Sequence, residues 1–412
     1  MRTMAHTLIF CSAAALLGTA PHARAAAVFD VLGLPSCVAI GVNDSGEVLA
    51  KCAISEANGL YRIPLFGPRV RLPIDTFCGV AGIANNGVVF VNCPENDRLR
   101  GYVWLPQQST LLPLKPVFGH ERATISGFSS KGVAIGTSVD QRGNAYPVLW
   151  RDPTARPTEL KVGLLGTEGR NCVAIGVEKD NAVAPAVTGS CVANGGEVRV
   201  PIVWKRDSLL LTYRAHKLAY PDTEDDPDQC DALGIAGDIV VGRCAGDTVH
   251  TVAWDSSTGD PEVLDTTADG EPFIFSNLTD VAIDGGVAGY ALVANGGARP
   301  FIWWPKDEEL SWYPDPSDPD RPNYNVIPKR YVVNKALIGE MEVYDSGHPS
   351  WPTKVLFRLN LANGVRENLG IPPEFRSMEV TTISESGCYA SATGLRAPTG
   401  RIPEVIRVRM CP

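Results

Sequence analysis

The side chains best able to do chemistry stand outside the regular parts of this chain. The segment Arg214 to Cys230 carries Asp222, Glu224, Asp225, Asp226 and Asp228. Clustered carboxylates suit Ca2+, which takes about six to eight oxygen ligands. No glycine stands where an EF-hand loop turns, so the plainer reading is a solvated acidic loop. No cofactor is required by any motif, and Ca2+ is the one candidate. A second segment, Pro314 to Pro328, follows Trp312 and Tyr313 and holds Asp315, Asp318, Asp320, Tyr324 and Asn325. Aromatic faces beside carboxylates suit a sugar, whose apolar ring face stacks while its hydroxyls find acceptors. Trp351, Phe273 and Phe275 are placed on loops of the same face. Arg98, Arg100, His120, Arg122, Arg142, Arg170, Arg299, Arg376 and Arg401 gather there too, and suit an anionic polymer or carboxylate. Scattered surface arginine is the simpler account.

Sequence signatures of catalysis are missing. The chain has no His-Glu-x-x-His, no Gly-x-Ser-x-Gly and no phosphate-cradling glycine loop. Carboxylate pairs contributed by distant segments leave no local spacing, so glycoside chemistry stays open. A formal charge of −9, or −11 once Arg2 and Arg24 are removed, argues against nucleic acid as a partner.

The elements that must position these groups are short strands. Forty Gly and thirty-two Pro punctuate the chain. Eight copies of one hairpin recur: Cys37–Cys52, Cys78–Cys93, Ala123–Ser138, Cys172–Cys191, Cys230–Cys244, Asn277–Ala291, Tyr331–Val343 and Val380–Thr393. Each has two apolar, β-branched runs around a polar turn such as Asn43-Asp44-Ser45-Gly46. A third strand follows each hairpin, and its Trp104, Trp150, Trp204, Trp254 and Trp303 read as core between repeats. A fourth run comes next, for example Leu111-Leu112-Pro113-Leu114 or Leu209-Leu210-Leu211-Thr212-Tyr213. Four strands per roughly 48-residue unit predict a β-propeller of eight blades, with seven, an open solenoid or paired sandwiches as alternatives. The strand Val28–Pro35 matches the fourth strand of the seventh copy, Glu367-Asn368-Leu369-Gly370-Ile371-Pro372. It is placed on the outside of the last blade, where it closes the ring.

The cysteines test the hairpins independently. Cys37 and Cys52 are symmetric about one turn, and Cys78 and Cys93 about another. Residues opposite on antiparallel strands stand ~4.5–5.5 Å apart, within disulfide reach. The pairs Cys37–Cys52, Cys78–Cys93, Cys172–Cys191 and Cys230–Cys244 follow, leaving Cys388–Cys411. The chain opens on a basic Arg2, an apolar run from Leu8 to Leu17 and a small-x-small site at Ala23-Arg24-Ala25. That reads as a signal peptide over residues 1–25, with one propeller domain over 26–412 and a secreted or periplasmic address. No run suits a transmembrane helix.

The Ala-x-Gly-Ile/Val-Asn-x-x-Gly-x-Val hairpins, best seen at Ala39-Ile40-Gly41-Val42-Asn43-Asp44-Ser45-Gly46-Glu47-Val48, resemble the extracellular HAF-repeat family. Tyr102-Val103-Trp104 and Phe301-Ile302-Trp303 stand where that family has His-Ala-Phe. The resemblance implies export and a propeller-like fold, and no particular activity. The expectation for function is a monomeric binding or interaction module whose long-loop face meets a glycan or other extracellular ligand near blades four to seven. The alternative is a propeller enzyme, such as a glycosidase or polysaccharide lyase, built on a deep central pocket. A structural envelope protein is the third reading.

Overall fold

A computed structural model describes residues 27–411, apart from 54–57, 163–171, 193–197, 208–211, 224–226, 228, 265–266, 269–270, 294–296, 314–324, 334, 346–347, 363, 365 and 397–401. The described chain forms eight antiparallel blades around a central bore. The innermost strands, one per blade, are Cys37–Val42, Gly79–Ile83, Arg122–Phe128, Cys172–Val177, Gln229–Ala236, Glu271–Val281, Val326–Val332 and Phe375–Ile383. No described helix is long and apolar enough to cross a membrane.

Each blade buries one face against the next. There are eight apolar clusters among the described residues, one at each blade boundary. Leu49, Leu60 and Leu72 of blade 1 meet Val89, Val91 and Trp104 of blade 2, and the pattern repeats to blade 8. The third-strand tryptophans sit in these boundaries, Trp150, Trp204 and Trp254 being fully enclosed. The Trp150 indole donates to Lys115 O at 3.0 Å and that of Trp254 to Ala219 O at 2.7 Å. They are core, as their period implied.

The ring closes as the sequence implied. Val28–Pro35 pairs antiparallel with the third strand of blade 8, Pro403–Arg409, so the first and last segments complete one sheet. Arg407 locks this seam. Its Nη1 donates to Gly46 O at 2.9 Å and Pro64 O at 3.0 Å in blade 1, while Nε faces Asp30 at 3.4 Å.

All five disulfides form as paired from the sequence. Four of them join the first two strands of blades 1, 2, 4 and 5 at the end away from the hairpin turn. Cys388–Cys411 ties the second and third strands of blade 8. The hairpin disulfides close loops of 14 to 19 residues. A Cys37→Ala/Cys52→Ala variant should therefore lose about 3 kcal/mol, read as a lower denaturant midpoint, with the blade count unchanged.

One fourth strand differs from expectation. In blade 4 it is Tyr213–Lys217, beyond the apolar run from Leu209, whose residues 209–211 lie outside the described residues. Only Tyr213 of this strand is buried, so an outermost strand facing water shows no apolar run.

Candidate bore site

Every innermost strand carries a β-bulge at the same place. Pairing slips by one residue between Ala39 and Gly41, Val80 and Gly82, Ile125 and Gly127, Ala174 and Gly176, Ala232 and Gly234, Leu278 and Asp280, Pro328 and Arg330, and Val380 and Thr382. The extra residue has no cross-strand partner. Eight such residues make a ring: Ile40, Ala81, Ser126, Ile175, Leu233, Thr279, Lys329 and Thr381. All are half-buried or exposed, as wall groups of an open channel must be. Blades 1, 4 and 5 offer aliphatic groups, and blades 6 to 8 offer polar ones.

Polar side chains of the preceding blade satisfy the backbone beside several bulges. Asn92 donates to Ile125 O at 2.8 Å and accepts the Ile125 N–H at 2.9 Å. Thr393 accepts from the Ala39 N–H, and Glu340 from the Val380 N–H. A bulge exposes main-chain groups, and a buried one must find partners.

The residue after the bulge decides the chemistry. In blades 1 to 5 it is glycine: 41, 82, 127, 176 and 234. The inner strands of blades 4 and 5 come so close there that a Cβ on Gly176 would stand 2.5 Å from Leu233 O. In blades 6, 7 and 8 the same position holds Asp280, Arg330 and Thr382. At this position, therefore, side chains stand only in blades 6 to 8.

Asp280 is buried and saturated. Lys179, from the hairpin turn of blade 4, reaches past blade 5 to Asp280 Oδ1. Arg330 Nη1 donates to Oδ1 at 3.3 Å and Oδ2 at 3.2 Å, and the Tyr331 N–H donates to Oδ2 at 3.0 Å. Burial alone pushes this carboxyl up; Arg330 and Lys179 outweigh it and hold it below the ordinary carboxylate range. Beside this pair, Lys329 bridges Glu340 at 2.9 Å and also donates to Val380 O.

Lys179 lines three cavities. One, of about 280 Å³, is walled by blades 3 to 6. Two others, of about 190 and 250 Å³, are lined in common by Lys179, Arg330 and Glu385. Glu385 is half-buried at the blade 8 turn and has no hydrogen-bond partner among the described residues.

The sequence candidates fall elsewhere. Trp312 is half-buried and packs edge-on against Phe301, with centroids 5.5 Å apart. Tyr313 packs into the boundary between blades 6 and 7, and burial raises its phenol. Both are committed to packing, not displayed as sugar platforms. Trp351 lies in the strand His348–Asn360, and Phe273 and Phe275 in the inner strand Glu271–Val281, where loops were expected. Phe275 is half-buried there. Tyr324, Arg170, Arg401, Glu224, Asp225, Asp226 and Asp228 lie outside the described residues, and Asp222 is the one member of its acidic group that is described. No group of metal-ligating side chains assembles among the described residues.

Three of the arginines make local bonds. Arg98 pairs Glu121 at 3.4 Å, Arg100 pairs Glu95 at 3.0 Å, and Arg122 donates to Leu99 O at 3.3 Å. Arg299 is half-buried in the third strand of blade 6. His120 bonds the buried Ser138 hydroxyl at 3.0 Å and packs tilted against the Tyr146 ring, with centroids 4.9 Å apart. The Lys179–Asp280–Arg330 cluster was missed. Its signal was present: the glycine column of the repeat breaks at 280, 330 and 382.

One carboxyl away from the bore titrates unusually. Burial pushes Glu262 up to about 7; a hydrogen bond from Trp303 opposes the rise and the Glu308 charge adds to it. Its ordinary value is 4.5, so the folded state holds this proton more tightly than the unfolded chain does. That contribution is fully present below pH 4.5 and is lost as pH rises through about 7. Glu262→Gln should melt above the wild type at pH 8 and with it at pH 4, by thermal scans at the two values.

No protein family and no curated protein matches this chain. Solved structures do. The Porphyromonas gingivalis dipeptidyl peptidase 4 is similar at a TM-score of 0.52 and 10% identity, over 89% of this chain and 59% of that one. Prolyl oligopeptidase B from Galerina marginata gives 0.46 and 12% over 90% and 56%, and a puromycin hydrolase S511A mutant complexed with PGG gives 0.44 and 14% over 90% and 58%. The chain thus spans under two thirds of each. The likeness to the first supports the propeller fold. It also corrects the functional expectation. The leading reading was a binding module meeting its ligand on the long-loop face. The solved propeller this ring resembles belongs to an enzyme, and the charged groups converge in the bore instead.

Proposed function

We propose that this chain is an exported propeller enzyme that hydrolyses extended peptides inside its bore. The observation that carries the reading is the broken glycine column, where Asp280 and Arg330 meet Lys179 beside open cavities. The five disulfides fit an oxidising compartment. The peptidase likeness supplies the substrate class, since a narrow bore admits an extended chain more readily than a folded one.

The cluster divides the labour by protonation. Asp280 accepts from three donors and has no capacity left for a proton in transit. Glu385 is the carboxylate that lines the same cavities without a described partner. In this reading Glu385 takes a proton from a water, whose oxygen bonds to the peptide carbonyl carbon. The carbonyl oxygen gains negative charge, which Arg330 faces. The C–N bond then breaks, and the proton passes from Glu385 to the departing amine.

Incubation of the oxidised chain with a library of extended peptides, read by mass spectrometry, tests this. Cleavage products are expected. Glu385→Gln should slow their release about 10²–10⁴-fold with an unchanged melting temperature. Ala81→Trp, which fills the bore from an exposed bulge position, should block it. Peptides left intact throughout contradict the reading, and products from polysaccharides in their place point to glycan chemistry.

A further inference from the structure

We infer that the cavity between blades 3 and 6 is a subsite for the C-terminal residue of a peptide, an apolar side chain with a free carboxylate read by Lys179. The inference rests on the peptide-hydrolase reading and names its substrate class. The cavity, about 280 Å³, is walled by Phe128, Ile175, Val177, Leu233, Ile235 and Leu278. Its floor is the glycine column, Gly127, Gly176 and Gly234, which keeps side chains out of the space. An aliphatic or aromatic side chain is the complement of such walls.

The polar end of the cavity is one-sided. Its charged lining groups are Lys179 and Asp280 alone. Asp280 already receives Lys179, Arg330 and the Tyr331 N–H, so it offers a ligand no acceptor. Lys179 has three N–H donors and one described partner, and about a third of its side chain remains exposed. The ligand group that meets it must therefore accept hydrogen bonds. Asp180, Lys335 and Glu385 line a second cavity that shares Lys179 and Asp280 with the first, and none bonds to Lys179. One cavity holds the terminal residue and the next holds Glu385, so the peptide bond cut is the last one.

The experiment compares Ala-Ala-Leu with its C-terminal amide, Ala-Ala-Leu-NH2, by calorimetry on the Glu385→Gln chain, which keeps the ligand intact. The acid should bind at least tenfold more tightly than the amide. Lys179→Met, added to that variant, should remove the difference and leave the apolar contribution, and Lys179→Arg should restore part of it. Should Lys179→Met fold poorly, Leu233→Trp serves, filling the cavity from its wall and abolishing binding of both ligands. Equal affinity for acid and amide overturns the subsite. Cleavage of internal peptide bonds with no acid preference leaves the hydrolase reading standing without it. Acid preference with no cleavage by the wild type leaves the subsite standing and removes the hydrolase.

Discussion

A chain that begins at Ser36 should lose more than about 10 °C of melting temperature and associate in solution. The strand Val28–Pro35 covers the outer edge of blade 8 and packs Phe29, Val31, Leu32 and Leu34 into the two boundaries that flank the seam. Full burial of four such side chains stabilises by about 6–12 kcal/mol, at about 1.5–3 kcal/mol each, and the partial exposure of Phe29, Val31 and Leu32 places the strand at the lower end. About 2 °C is lost per kcal/mol in a domain this large. Without the strand, Pro403–Arg409 also presents an unpaired edge, a template for another copy. The peptide covering residues 27–35 added in trans should raise the melting temperature with its concentration. A truncated chain that melts with the full one would mean the ring closes elsewhere.

The second large effect is at Asp280. Asp280→Asn keeps the shape and removes the charge that Lys179 and Arg330 share. Two cations are then left facing each other across a buried amide. Breaking a buried ion pair costs about 3–5 kcal/mol, and the partial exposure of Lys179 puts this case near 3. The Lys179→Met/Asp280→Asn double variant should recover part of the loss, since it removes one of the stranded charges. The wild-type contribution follows pH in a fixed direction. The carboxyl lies below its ordinary range in the fold, so stability is held above about pH 3.8 and lost as pH falls through the depressed value. The Asp280→Asn chain should show a flatter acid limb in denaturant titrations between pH 2 and 5. An acid limb as steep as the wild type's would place the charge linkage on other carboxylates.

The fold was legible because the repeat states it many times. Cysteines symmetric about a turn report strand pairing directly, and the match of Val28–Pro35 to the fourth strand of blade 7 reports closure. Tryptophans recurring at 46 to 54 residues must all meet the same environment, and they do. The fourth strand of blade 4 was not legible. Tyr213-Arg214-Ala215-His216-Lys217 faces water along an outer edge, so hydrogen bonding and not apolar patterning defines it.

The site was hidden for a different reason. Long loops vary between repeats, yet Trp312 and Tyr313 are drawn into blade boundaries, and Arg98 and Arg100 into local ion pairs. The bore residues lie inside the repeat. Their meaning depends on a bulge, which a period of two does not reveal. Only with the bulge in register do Gly41, Gly82, Gly127, Gly176 and Gly234 align with Asp280, Arg330 and Thr382. In a repeat protein the column that changes chemistry marks the site better than the segment that changes length.

The central claim is that substrate enters the bore and meets the side formed by blades 6 to 8. A peptide carrying a benzophenone at its middle residue, irradiated with the oxidised chain and mapped by mass spectrometry, tests it most directly. Adducts are expected on the inner strands of blades 6 to 8, at Thr279, Lys329 or Thr381, and unlabelled peptide should compete them away. Adducts confined to 214–230 and 314–325, or insensitive to competitor, would contradict it.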